Sequence, residues 1–266
     1  MSNTDSESSA ARAERVIVQP PMAGAAMFSI ARRELASYFN SPLAYVVICL
    51  SQLLLGLLFF EYGGFWRVGR ATLEKLFEFA PFGLCLLVVP VVTMRTVAEE
   101  KSTGTLEMLI TLPVRDWEVI MGKYLGALSL VLILVLSTLI YPIAMFRMPW
   151  KLGVIDMGPV LSGYLGLVLM SAAATAIGLL VSSLTRSQVI AFFITFVVLC
   201  FLVFVGMFGE KFGSTAGTVL QFISFSSNLG SFARGLIDTR AVLYFISITV
   251  FSLMIAFRAL EGRKWQ

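Results

Sequence analysis

The sequence predicts an all-α membrane protein built on six transmembrane helices, and three observations predict it. Of the 266 residues, 58% are hydrophobic and only 14% are charged, with a mean hydropathy of +0.88. An ordinary soluble domain carries roughly 25% charged residues, and a soluble fold of this length has no interior large enough to hide so many apolar side chains. The apolar residues fall in six runs close to the ~17–25 residues that cross ~30 Å of hydrocarbon, and the charged residues collect between those runs.

Residues 1–26 are polar and rich in small side chains, with Ser2, Ser6, Ser8 and Ser9 early and Pro20-Pro21 later. They read as a disordered tail, and they lack the basic start and apolar core of a signal peptide. From Met27 to Phe39 the pattern changes. Phe28, Ala31, Leu35, Tyr38 and Phe39 recur at three- and four-residue spacing, while Ser29, Arg32, Arg33 and Ser37 lie mostly on the other side. That pattern predicts an amphipathic helix over 27–39 lying in the membrane interface. Asn40-Ser41-Pro42 ends it, and Pro42 suits the first turn of the next helix.

The six spans are expected at about 43–60, 79–98, 122–146, 159–181, 189–208 and 241–257, in a single membrane domain covering 27–266. With the N-terminus inside, twelve of the 20 Lys and Arg residues fall in inner segments, and Arg32-Arg33 and Arg263-Lys264 flank the bilayer closely. This bias predicts that both termini are cytoplasmic.

Two outer segments are too apolar to be free loops. Residues 61–78 contain Phe65, Trp66, Leu73, Leu76 and Phe77, which predicts a short helix on the outer membrane surface. Residues 209–240 contain Leu220, Phe222, Ile223, Phe225, Leu229, Phe232 and Leu236, broken by Gly213, Gly217, Gly230 and Gly235. Their length and apolarity suit a re-entrant helical hairpin, with a seventh, partial span as the other reading.

The longest inner connection runs from Arg95 to Lys123. Arg95 and Glu99, four apart, are spaced to pair on one helical face. Ser102-Thr103-Gly104 breaks that helix, Thr105 is placed to cap a second short one, and Pro113 closes it. Leu106, Met108, Leu109 and Leu112 along this second helix would each cost about 1.5–3 kcal/mol if left in water. They must rest on lipid, on the chain itself or on another protein.

Several chemistries are excluded. The chain has no histidine, which removes Ser-His and Cys-His dyads, zinc-protease motifs and histidine-ligated haem. Cys49, Cys85 and Cys200 lie in apolar runs without CxxC spacing and read as buried hydrophobes. The net charge of +4 comes from scattered basic residues and not from a stripe, which argues against nucleic acid. Gly122-Lys123 has Trp117 where a phosphate-binding GxxxxGK loop needs its first glycine, so the chain is not expected to be an ATPase. No acidic or basic residue lies near the middle of a predicted span, which argues against a proton- or sodium-coupled carrier. Pro90 and Pro142 would kink spans 2 and 3, and Gly163, Gly166 and Gly178 in span 4 would permit close helix approach.

The stretch Ala98-Glu99-Glu100-Lys101-Ser102-Thr103-Gly104-Thr105-Leu106-Glu107-Met108-Leu109, followed by Leu112-Pro113-Val114, resembles the signature of ABC-2 type transporter permeases. The permeases most like it are those of the gliding-motility-associated group and the related copper-maturation (NosY-like) group. These share an opening seen here as Ala31-Arg32-Arg33-Glu34-Leu35 through Ser41-Pro42-Leu43-Ala44-Tyr45. The resemblance covers roughly residues 27–260. It implies that Phe28, Arg32, Arg33, Glu34, Leu35 and Phe39 belong to the family's interfacial elbow helix. It implies an ATPase-coupling set of Glu99, Glu100, Lys101, Ser102, Thr103, Gly104, Thr105, Leu106, Glu107, Met108, Leu109, Leu112 and Pro113. The coupling helix would span 100–112 and fit a groove on a nucleotide-binding subunit. Residues 209–240 would be the family's outer re-entrant pair.

By the same resemblance the assembly is a dimer with a second copy or paralogue, over two ATPase subunits, in the bacterial inner membrane. The chain itself would hold no cofactor or metal, with ATP and Mg bound by the partner. Export is the implied direction, with a periplasmic accessory protein as a further candidate partner. Two other functions would share the spans: a scaffold anchoring a motility or assembly complex, and a secondary carrier.

Overall fold

Over the residues that the computed structural model describes (24–62, 73–104, 115–147, 156–209 and 215–262), every regular element is helical. The first helix, α1 (Ala25–Asn40), stops where Ser41 turns extended at φ −99° and ψ 137°. The Ser41 hydroxyl then accepts from Leu43 N–H at 3.3 Å and caps α2 (Pro42–Leu57), with Pro42 in its first turn. A π-helical turn (Leu58–Tyr62) extends α2 to complete span 1.

Span 2 is assembled from α3 (Glu74–Pro81), a π-helical segment (Phe82–Val88) and α4 (Val89–Thr93), and a turn at 94–97 leads into α5 (Ala98–Thr103). Pro81 and Pro90 bracket the π segment and each withholds an N–H from the ordinary ladder, while Val89 N–H reaches five residues back to Leu84. Then come α6 (Asp116–Ser137), α7 (Ile140–Arg147), α8 (Met157–Leu184), α9 (Gln188–Gly209), α10 (Thr215–Ile223), α11 (Phe225–Ala233) and α12 (Thr239–Glu261).

Among the described residues, six stretches are long and apolar enough to cross a membrane: Pro42–Tyr62, Glu74–Thr103, Asp116–Met145, Met157–Leu184, Gln188–Gly209 and Thr239–Glu261. Each contains or overlaps one of the six apolar runs of the sequence. Spans 2 and 4 are central, with 67% and 72% of their most apolar windows buried against 22–33% for the others. Small residues let span 4 approach span 2 and the helix α11. Gly163 lies against the Phe77 ring, Gly166 against Leu229 and Phe232, and Gly178 against Thr93.

Leu76 and Phe77 do not lie on an outer surface helix. They open span 2 and are fully buried, with the Phe77 ring edge-on to Tyr164 at 5.4 Å. The reason is continuity: Glu74–Pro81 runs straight into the span, so its apolar face meets span 4 and not lipid. The earlier part of that predicted element, with Phe65 and Trp66, lies outside the described residues. The helices α10 and α11 have nine residues each, about 13 Å at 1.5 Å per residue, too short to cross the hydrocarbon. Phe225, Leu229 and Phe232 of α11 are buried among α3, α8 and α9, and Ser162 Oγ donates to the Phe232 carbonyl at 2.7 Å.

The end of the bundle opposite α10 and α11 gathers α1 with α4, α5, the start of α6 and the ends of α8 and α12. A satellite core of Val97, Ile120, Tyr124, Ala176, Leu179 and Leu260 closes it.

Candidate functional site

The turn that separates α4 from α5 creates the site. Thr96 N–H bonds Thr93 O at 3.2 Å instead of continuing the α-helical ladder. The Val92 carbonyl, which the ladder would have used, accepts from the Tyr38 hydroxyl of α1 at 3.1 Å. Burial, reinforced by the nearby Glu34 carboxylate, holds that phenol protonated far above its ordinary range. At the start of α5, Val97 N–H and Ala98 N–H both donate to Ser182 Oγ of α8, at 3.2 and 3.0 Å. Lys101 Nζ donates to the Ser183 carbonyl. An N-cap normally comes from the preceding residue; here span 4 supplies it.

A buried lysine ties the junction together. Lys123, 2% exposed, lies two turns into α6. Its ammonium donates to Glu34 Oε1 of α1 at 2.8 Å, to Glu100 Oε1 of α5 at 2.7 Å and to the Thr96 carbonyl at 2.8 Å. A buried ammonium is tolerated only when paired and fully hydrogen-bonded, and these three acceptors take its three protons. The approach of α1 is made possible by Gly122 and Gly126. A Cβ at Gly122 would stand 2.8 Å from Ile30 Cβ and 2.9 Å from the Met27 carbonyl, and one at Gly126 would stand 2.6 Å from Glu34 Cβ. Glu118 adds a clasp: its carboxylate accepts from Gly24 N–H at 3.1 Å and from Arg115 N–H at 3.3 Å.

The helix α5 ends as the Ser102-Thr103-Gly104 pattern requires. Ser102 Oγ and Thr103 Oγ1 bond back to the Glu99 carbonyl at 2.8 and 3.0 Å, and Gly104 takes φ +74°, the left-handed region in which glycine is unstrained. Glu99, Glu100, Lys101, Ser102, Thr103 and Gly104 are thus held together. Thr105, Leu106, Glu107, Met108, Leu109, Leu112 and Pro113 lie outside the described residues. Of the α1 residues, Glu34 enters the lysine cluster and Leu35 and Phe39 pack on the main core, whereas Arg32 and Arg33 are exposed and Phe28 is 69% exposed.

Arg95 and Glu99 do not pair: among the described residues neither enters an ion pair. The 94–97 turn destroys the four-residue helical spacing on which that pairing depends. Lys123, Ser182 and Ser183 were not singled out by the sequence reading for this junction. A signal existed in Gly122-x-x-x-Gly126, a small-residue spacing with a lysine inside it.

A second feature lies within the spans. Leu54, Leu58, Phe79, Phe82, Leu86, Leu87 and Phe196 line an apolar cleft of about 370 Å³ between spans 1, 2 and 5. Both π-helical segments contribute to its walls.

A family model described as "ABC-2 family transporter protein" matches residues 83–220, just over half of the chain. No curated protein matches. The matched stretch runs from the π segment of span 2 through the lysine junction and spans 3, 4 and 5 into α10. The chain belongs to the ABC-2 family of transporter proteins and is a membrane-embedded permease component of an ABC transporter, not its ATPase.

Proposed function

We propose that the chain is the permease subunit of an exporter whose separate ATPase, binding ATP and Mg, drives it through the 100–112 segment. Two permeases, identical or paralogous, form the pathway in the bacterial inner membrane with their termini in the cytoplasm. In this reading α1 is the interfacial elbow, residues following Gly104 form the coupling helix, and α10 and α11 form an outer re-entrant pair. The gliding-motility or NosY-like subgroup stays part of the proposal, on the motifs around Arg32 and Gly104.

One observation carries the reading: α5 is tied at once to α1 and α6 by Lys123 and to α8 by Ser182 and Ser183. A push delivered at Gly104 therefore reaches spans 2, 3 and 4 together and is not lost in a loop. The joint lies on the partner side of these ties, at the left-handed Gly104. The apolar cleft between spans 1, 2 and 5 fits a lipophilic cargo, since no charge lines it.

The test is crosslinking from Leu106→Cys or Met108→Cys to single-cysteine variants of the cognate ATPase. A crosslink whose yield changes with nucleotide is expected. Efficient insertion with no crosslink at either position would favour the scaffold, and transport that persists with an inactive ATPase would favour a secondary carrier.

A further inference from the structure

The lysine junction encloses a polar cavity of about 460 Å³, within the range of small-ligand sites. A side cavity of about 110 Å³ shares its Arg95, Glu99, Glu34 and Ser37 walls. The Lys123 ammonium is taken up by Glu34 and Glu100. What remains is uncommitted: Arg33, Arg95 and Glu99 line the cavity, and none enters an ion pair among the described residues. Arg95 Nε is shielded from solvent and has no hydrogen-bond partner. A shielded guanidinium N–H without an acceptor is costly, and Arg95 lines both cavities in which an acceptor would sit.

Charge and depth select the ligand. The walls hold three positive and three negative side chains. A purely anionic group would satisfy the guanidiniums but face Glu99. A purely cationic group would leave two guanidiniums unmatched. A phosphate carrying a nearby ammonium matches both sets: its oxygens accept from Arg95 and Arg33, and its ammonium donates to Glu99. Arg95 stands two residues beyond the last apolar turn of span 2, the level at which hydrocarbon gives way to headgroups. Arg33 and Ser37, on the exposed flank of α1, leave the cavity accessible.

We propose that this cavity binds the phosphoethanolamine headgroup of a membrane phospholipid, with Arg95 as the principal phosphate ligand and Glu99 as the ammonium ligand. Nothing in this assignment rests on the proposed ATPase docking, although Glu99, Glu100 and Thr103 in the cavity walls also belong to the coupling set that the resemblance implies.

The full chain, purified in detergent and stripped of lipid, is titrated with dioleoyl-phosphatidylethanolamine, -phosphatidylglycerol and -phosphatidylcholine and with water-soluble phosphoethanolamine, and bound ligand is counted by native mass spectrometry. Phosphatidylethanolamine is expected to bind about tenfold more tightly than the other lipids. Arg95→Gln should lose at least about tenfold of that affinity, and Glu99→Gln should erase the preference over phosphatidylglycerol. Arg258→Gln, whose guanidinium pairs with Glu261 on α12, should bind as the parent does. If Arg95→Gln does not fold, Glu99→Gln decides alone. Equal retention of the three lipids, or undiminished selectivity in the Arg95 and Glu99 variants, overturns the site. Soluble phosphoethanolamine binding as tightly as the lipid overturns the lipid as its source.

Discussion

Replacing Lys123 with methionine keeps most of the length of the side chain and removes the charge that holds α5 to α1 and α6. The two carboxylate oxygens it bridges stand 2.8 and 2.7 Å from one nitrogen, so they are no farther apart than the sum of those distances. Without the ammonium they repel across a mostly buried gap, by about 3 kcal/mol at an effective dielectric constant of 20. Breaking a buried pair typically costs roughly 3–5 kcal/mol. Here the lower end applies, because Glu34 and Glu100 keep 15% and 18% of their side-chain exposure. A loss of about 3 kcal/mol corresponds to an opening equilibrium shifted by roughly 100-fold. Hydrogen exchange of the peptide covering 94–104, in the purified full chain, reads this directly. Faster exchange by that order is expected in Lys123→Met. Most of the protection should return when Glu34→Gln and Glu100→Gln are added, because a neutral buried cluster carries no uncompensated charge. Exchange in Lys123→Met within about threefold of the parent, or a triple variant as labile as the single one, would refute the account of the junction.

Two further perturbations test its other ties. Ser182→Ala removes the acceptor of both Val97 N–H and Ala98 N–H and should destabilise the detergent-purified chain by about 1–3 kcal/mol per orphaned group; Ser182→Thr, which keeps the hydroxyl, should melt close to the parent. Gly122→Val drives a Cβ into Ile30 and the Met27 carbonyl, so α1 must leave α6; limited proteolysis should then cut within 24–40, whereas Gly230→Ala, with open space at its Cβ, should stay resistant.

The parts legible in the sequence were those that local composition decides. Six apolar runs long enough for hydrocarbon become six candidate spans because any backbone in lipid must satisfy its own hydrogen bonds, and only a helix does this within one segment. The break at Asn40-Ser41-Pro42 and the end of α5 at Gly104 were legible for the same kind of reason, since a cap, a proline and a left-handed glycine act within a few residues. The apolar pattern of 73–78 misled, because hydropathy separates apolar from polar without telling lipid from a neighbouring helix. Leu76 and Phe77 found span 4. The Arg95–Glu99 spacing misled because it assumed an unbroken helix.

The sequence alone thus determined that the chain is a helical membrane protein, where its candidate spans fall and where its charged connection lies. Each of these depends on short-range terms summed along one stretch of chain. The tertiary structure alone decided what α5 is attached to. Lys123 meets Glu34 and Glu100 from positions 89 and 23 residues away, and Ser182 caps a helix that begins 84 residues earlier. No local pattern encodes such meetings, because a buried charge selects its partners only once packing has excluded water and left no others within reach.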